Sequence, residues 1–267
     1  MKKCFKFIGG FFILACLTVI LSSCGSSNKS SLNQIKSSGV LRVGMISSNP
    51  PYEFHTGSSN GESTLRGSDL HLIKKLAKAL HVKYTIQSMD MNGLLPSVQA
   101  HKVDMLVTSL SPTPEREKAV DFSDVYYKSE NVFSVKKSEV NKYNKNPKLL
   151  DHATIAVVNS STQEPMVKKM YPNATIKTFT TVPDLALAVA NNKADAFCID
   201  LPTTKILLNQ NKGLGETNIK HNDASKGAAI VLPKNTSKDL KEVVNKVIHE
   251  NKDNYKKWVV DEAKYVK

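Results

Sequence analysis

Three short stretches hold the residues best suited to gripping a small charged molecule. In the first, residues 103–108 read as a buried strand that runs into Ser109-Leu110-Ser111-Pro112-Thr113-Pro114-Glu115-Arg116. Thr113 fits a helix N-cap and Pro114 the first helical position. Backbone N–H groups at such a start favour an anion, and Arg116, within the first turn, can add a bidentate grip on a carboxylate. The second stretch, residues 154–164, has the same order of strand, hydroxyl-rich turn (Asn159-Ser160-Ser161-Thr162) and helix, with Ser161 and Glu164 spaced for a capping box. Capping alone accounts for either stretch. Two of them facing one cleft would converge on a single anion from opposite sides. The third, residues 194–200, is an apolar strand ending in Asp200, which can accept an ammonium group or cap the next loop. An arginine for a carboxylate and an aspartate for an ammonium are the two halves of an amino-acid clamp. In Pro50-Pro51-Tyr52-Glu53-Phe54 either ring can pack on the ligand's side chain or fill the core.

The elements that must carry these residues alternate between strand and helix. Residues 40–46 form a strand candidate. Residues 69–80 place Leu72, Ile73, Leu76 and Leu80 at helical spacing, with Ser68 as N-cap. Val82, Tyr84 and Ile86 alternate as a strand, and residues 92–101 make a short helix with Leu94, Leu95 and Val98 inward. The pattern then restarts: strands at 131–136, 154–158, 175–179, 194–199 and 227–232, helices at 162–170 and 183–191, and two closing helices, 238–249 and one containing Tyr255 and Trp258. Such alternation predicts an α/β fold with mainly parallel sheets. Two such cores in one chain imply two lobes with a cleft between them, the ligand lying beyond the carboxyl ends of the strands.

The chain has 267 residues and a net charge of +13, falling to +10 without Lys2, Lys3 and Lys6. Those lysines precede an apolar run, residues 7–21, that is too short for a bilayer span and has the pattern of a secretory signal. Residues 24–34 read as a polar tether. Past Cys24 only Cys198 remains, so no internal disulfide is expected and the fold rests on its core. The remaining lysines are dispersed, with Lys136, Lys137, Lys142, Lys145 and Lys148 nearest to a cluster, and no arginine–aromatic interleaving accompanies them. That argues against nucleic acid and for a solvated basic surface. The seven histidines show no zinc-type spacing, Gly213-Leu214-Gly215 lacks the third glycine and the preceding strand of a dinucleotide loop, and no phosphate-cradling loop is present. No cofactor, metal or catalytic residue is assigned.

Leu21-Ser22-Ser23-Cys24-Gly25 resembles the lipobox of bacterial lipoproteins, which implies a signal peptide over 1–23 and a diacylated Cys24. Residues 92–104, 109–116 and 120–127, with Val40-Leu41-Arg42-Val43-Gly44, Gly67-Ser68-Asp69-Leu70 and Ala194-Asp195-Ala196, resemble the amino-acid-binding proteins of ABC importers, the extracellular solute-binding proteins of family 3. The resemblance implies a type II periplasmic-binding-protein-like fold: lobe 1 over 35–128 and 233–267, lobe 2 over 129–232, and hinge crossings near 127–131 and 227–232. It implies that Arg116 pairs with an α-carboxylate, that Ser111 and Thr162 offer it backbone N–H groups with Ser161 beside them, and that Ser109 and Asp200 hold the ammonium group. Tyr52 and Met91 would line the side-chain pocket. In the histidine-binding branch an acid stands where this chain has Ile46 and a tyrosine where it has Asn49, which weakens a basic side chain, left open by the nearby Glu53, in favour of a polar, uncharged ligand such as glutamine, or of cystine. Ser160 stands where the family usually has glycine. The implied partners are a free amino acid, an importer permease and, through the lipid, the outer face of the cell membrane; the chain is expected to act as a monomer. Dehydratases of aromatic biosynthesis share the fold, but with Asp200 engaged by an ammonium only Glu53 is left as acid or base, so no enzyme is expected.

Overall fold

The computed structural model describes residues 30–57, 62–222 and 227–266. The signal, the lipobox and most of the tether lie outside the described residues. The first pass of the chain comprises α1 (Ser31–Ser38), β1 (Val40–Met45), β2 (Ser48–Asn49), β3 (Glu53–His55), β4 (Leu65–Arg66), α2 (Ser68–Leu80), β5 (Lys83–Ser88), α3 (Met91–Gln99), β6 (Met105–Leu106), α4 (Pro114–Ala119) and β7 (Asp121–Tyr127). The second comprises β8 (Asn131–Lys136), α5 (Val140–Lys145), β9 (Thr154–Val158), α6 (Gln163–Met170), β10 (Thr175–Phe179), α7 (Val182–Ala190), β11 (Ala196–Asp200), α8 (Leu201–Gln210) and β12 (Leu214–His221). The chain then returns through β13 (Ala228–Leu232) and ends in α9 (Lys238–Ala263).

Two five-stranded sheets result, in the orders β5-β1-β6-β13-β7 and β10-β9-β11-β8-β12. In each, three strands pair in parallel and two more are added through antiparallel pairings, so that one strand runs against the other four. Helices cover both faces, so the central strands read as continuous apolar runs: Ile155, Ala156 and Val157 in β9 and Ala196 and Phe197 in β11 have no solvent exposure. The α2 stripe behaves as its spacing predicts, with Leu72, Ile73, Leu76 and Leu80 all fully buried against β1 and α9. A third, small sheet, β2-β3-β4, holds the Tyr52 region on the first lobe.

Several expectations need correction. Residues 31–34 are the first turn of α1, capped by Ser30, rather than tether. The N-cap of α2 is Gly67, and the Ser68 hydroxyl instead donates to Tyr255 Oη. The two closing helices are one 26-residue helix, because no proline or glycine interrupts it and Asn251, buried midway, donates to its own helix at the Val247 carbonyl. The largest correction concerns β13, assigned above to lobe 2. It pairs antiparallel with β6 and β7 and so belongs to the first sheet. The chain is therefore back in the first lobe by Ala228 rather than after residue 232. A Cβ at Gly227 would lie 2.5 Å from the Tyr127 carbonyl, and its φ is +118°, so only glycine lets the two crossings touch.

Candidate ligand-binding site

The lobes enclose a cavity of about 320 Å³, within the range of small-molecule sites. Every residue that the family resemblance implies as a ligand contact lines it: Tyr52, Met91, Ser109, Ser111 and Arg116 from the first lobe, and Ser161, Thr162 and Asp200 from the second.

The first strand–turn–helix unit keeps its expected order, but its strand is only Met105–Leu106 rather than 103–108. Thr113 caps α4, its hydroxyl accepting from the Arg116 amide at 3.2 Å, and Pro114 occupies the first turn. The guanidinium of Arg116 is fixed by two carbonyls, donating to Ser111 O at 2.8 Å and across the cleft to Ser160 O at 2.8 Å. Ser109 sits at φ +46°, a conformation that costs a non-glycine residue about 1–3 kcal/mol and clusters at functional sites. Its amide donates to Tyr126 Oη at 2.8 Å.

The second unit departs from the expected capping box. Thr162 is the N-cap of α6, and Glu164 accepts from the Ser160 amide at 3.1 Å instead of serving Ser161. Ser161 Oγ is buried on the cavity wall without a hydrogen-bond partner. A buried polar group left unmatched costs about 1–3 kcal/mol, so this hydroxyl is ready for a ligand. Ser160 adopts φ +57°, the left-handed conformation that explains the family's preference for glycine there.

Asp200 both caps α8, accepting from the Thr203 amide at 3.2 Å, and accepts from Tyr52 Oη across the cleft at 2.7 Å. Burial pushes its carboxyl above the ordinary value, against the lowering pull of the Tyr52 hydroxyl and the Thr203 amide. Burial and then the charge of Asp200 push the neighbouring Tyr127 up to about 12. Tyr52 is thus a tether to Asp200 as much as a pocket wall, and its ring meets Tyr127 edge-on at 5.8 Å. Met91 packs against apolar clusters of both lobes.

Sequence reasoning missed three amides of the wall, Asn131, Gln163 and Asn222, and named the fourth, Asn49, only as a departure from the histidine-binding branch. Gln163 Nε2 donates to Asn131 Oδ1 at 2.8 Å. The only signal was position, since Asn131 opens β8 directly after a crossing. Glu53, considered above as an acid or base, is fully buried and does not line the cavity.

Residues 41–261 match the sequence profile of the bacterial extracellular solute-binding proteins, family 3. The chain is 31% identical over 259 residues to the arginine-binding extracellular protein ArtP of Bacillus subtilis, covering 94% of this chain and 96% of that protein. It is 30% identical over 243 residues to a probable histidine-binding protein of Campylobacter jejuni, covering 91% and 89%. A solved amino acid ABC transporter substrate-binding protein of Streptococcus pneumoniae, bound to L-arginine, superposes with a TM-score of 0.81 at 32% identity, covering 88% of this chain and 98% of that one.

Proposed function

Because the chain belongs to the bacterial extracellular solute-binding proteins of family 3, we propose that it captures a free α-amino acid between its lobes and delivers it to the permease of an ABC importer. The observation that carries this reading is that Arg116 and Asp200, one cation and one acid from opposite lobes, line the same cavity. The ligand's α-carboxylate lies against Arg116, with the Ser111 and Thr162 amides and the Ser161 hydroxyl beside it. Its ammonium group lies against Asp200 and the Ser109 carbonyl. The relatives named above bind arginine or histidine, which favours a cationic side chain over the glutamine or cystine expected from Ile46.

Binding and closure are one event. A ligand that touches both lobes binds the closed arrangement better than the open one and shifts the population towards it. Turnover is not part of this reading: Asp200 is held by Tyr52 and a helix cap, and Glu53 is sealed away from the cavity. Outside the cell, the diacylated Cys24 holds the chain to the membrane, since two acyl chains anchor stably where one is marginal. Replacement of Cys24 by serine then releases the protein into the medium; retention on membranes would argue against the anchor.

Calorimetry against the twenty amino acids tests the clamp. Arg116→Ala and Asp200→Ala each weaken binding at least tenfold, because a buried ligand charge is left unpaired. Unchanged affinity in both variants, or a wild-type chain that binds no α-amino acid, overturns the reading.

A further inference from the structure

Behind the cavity wall of the first lobe lie two carboxyls with no solvent exposure, Glu53 and Asp69. Each has one oxygen without a hydrogen-bond partner, Glu53 Oε2 and Asp69 Oδ2. The other two oxygens are engaged. Asp69 Oδ1 accepts from Tyr255 Oη at 2.6 Å, and Glu53 Oε1 accepts from Thr108 Oγ1 at 2.8 Å. Thr108 Oγ1 accepts from the Ile46 amide at 3.0 Å and passes its own proton on to Glu53 Oε1, while the unpartnered Oε2 faces the second carboxyl. Glu53 Oε1 is therefore an acceptor, and any proton the pair carries sits between the two unpartnered oxygens. Two neighbouring carboxylates out of water cannot both ionise. Burial and the neighbouring Asp69 push Glu53 well above its ordinary value; burial also raises Asp69, but there the hydrogen bonds from Glu53, Tyr255 and Tyr126 pull the other way and favour the charged form. The pair holds one proton and one negative charge, and no ion pair with a lysine or arginine engages it among the described residues.

This pair determines which way a cavity residue faces. Asn49 Nδ2 donates to Glu53 Oε1 at 3.3 Å and to Ser109 Oγ at 3.0 Å. An amide nitrogen has two protons, and both are in use. The opposite orientation would set the amide oxygen against an oxygen already fixed as an acceptor. Asn49 lines the cavity, so what it can offer a ligand is Oδ1, an acceptor.

We propose that Asn49, turned by the Glu53–Asp69 pair, reads the ligand's side chain: it selects one that ends in N–H donors, and the pair's single charge behind it favours a cationic donor. This rests on the reading that the cleft holds a free α-amino acid. It replaces the missing acid at Ile46 with a relayed one. Lys128 also lines the cavity, but it is exposed at the first crossing, where water screens its charge. Glu53 is a positioning residue here, acting only through Asn49.

The test is titration calorimetry of the full chain with L-arginine, L-histidine, L-citrulline and L-methionine. Citrulline keeps N–H donors but lacks the charge; methionine lacks both. The tighter of arginine and histidine binds at least tenfold more tightly than methionine, with citrulline between them. Asn49→Leu reduces the preference over methionine, read as the ratio of the two affinities, at least tenfold. Glu53→Gln narrows the gap between the cationic ligand and citrulline. Should Glu53→Gln fail to fold, the Asn49 variant alone decides. Amino-acid binding with selectivity unchanged in Asn49→Leu, or a wild type that prefers methionine, overturns this inference and leaves the functional reading standing. A wild type that binds no α-amino acid overturns both.

Discussion

At the scale of single residues, the site is a set of charges and hydroxyls whose protonation is tied to occupancy. Asp200 shows this most directly. In the ligand-free protein burial raises its pKa, which means the neutral acid is favoured. For stability the sign follows: the folded state binds the extra proton, so the ligand-free fold loses stability as pH rises from the ordinary carboxylate value through the raised one. An ammonium group in the cavity reverses the preference. Affinity is then level above the raised value and falls by about tenfold per pH unit below it, because binding must first expel the proton. Calorimetry across this range checks it, and Asp200→Asn should remove the proton release along with most of the affinity. Arg116, Asp200 and the serines were legible in the sequence because residue type, a cap position and a strand end together restrict what they can do. The orientation of Asn49 was not legible, since it depends on Glu53 and Ser109 from two other segments.

At the scale of elements, the site depends on how α2 meets the Tyr52 segment. The first amides of α2 reach across, Ser68 N donating to Pro51 O at 3.1 Å and Asp69 N to Tyr52 O at 3.0 Å. This requires Gly67 at φ +135°, where a Cβ would fall 1.9 Å from the Tyr52 carbonyl oxygen. Gly67→Ala therefore costs about 2 kcal/mol or more in urea unfolding, and it weakens ligand binding as well because Tyr52 must move. The strands at 131–136, 154–158 and 175–179 were readable to the residue, being short β-branched- and aromatic-rich segments between turn signals. The errors fell where tertiary contacts override local preference. Ser68 is a good capping residue, yet its hydroxyl serves Tyr255, 187 positions away.

At the scale of the whole molecule, the lobes are joined by two crossings and latched by hydrogen bonds across the cleft. Besides Tyr52–Asp200 and Arg116–Ser160, Thr203 Oγ1 donates to Pro50 O at 3.0 Å, and Asn92 Oδ1 accepts from Ser160 Oγ at 2.9 Å and from Asn159 Nδ2 at 3.4 Å. Asn92 is exposed, so its bonds contribute to closure more than to folding. A net hydrogen bond contributes about 0.5–1.5 kcal/mol. Asn92→Ala should speed ligand dissociation about three- to tenfold in stopped-flow measurements, while unfolding stability stays within about 0.5 kcal/mol of wild type.

The sequence by itself determined the α/β class, the two lobes and which turn and cap residues line the cavity between them, because strand–helix alternation and capping chemistry are local properties that neighbouring residues settle. Only the tertiary structure decided that β13 returns to the first sheet, that α9 runs unbroken, and that the Asn49 amide nitrogen bonds Glu53 and Ser109. Strand partnership and the direction of a hydrogen bond are properties of pairs of segments far apart in the chain, and a one-dimensional pattern carries no record of which of them meet.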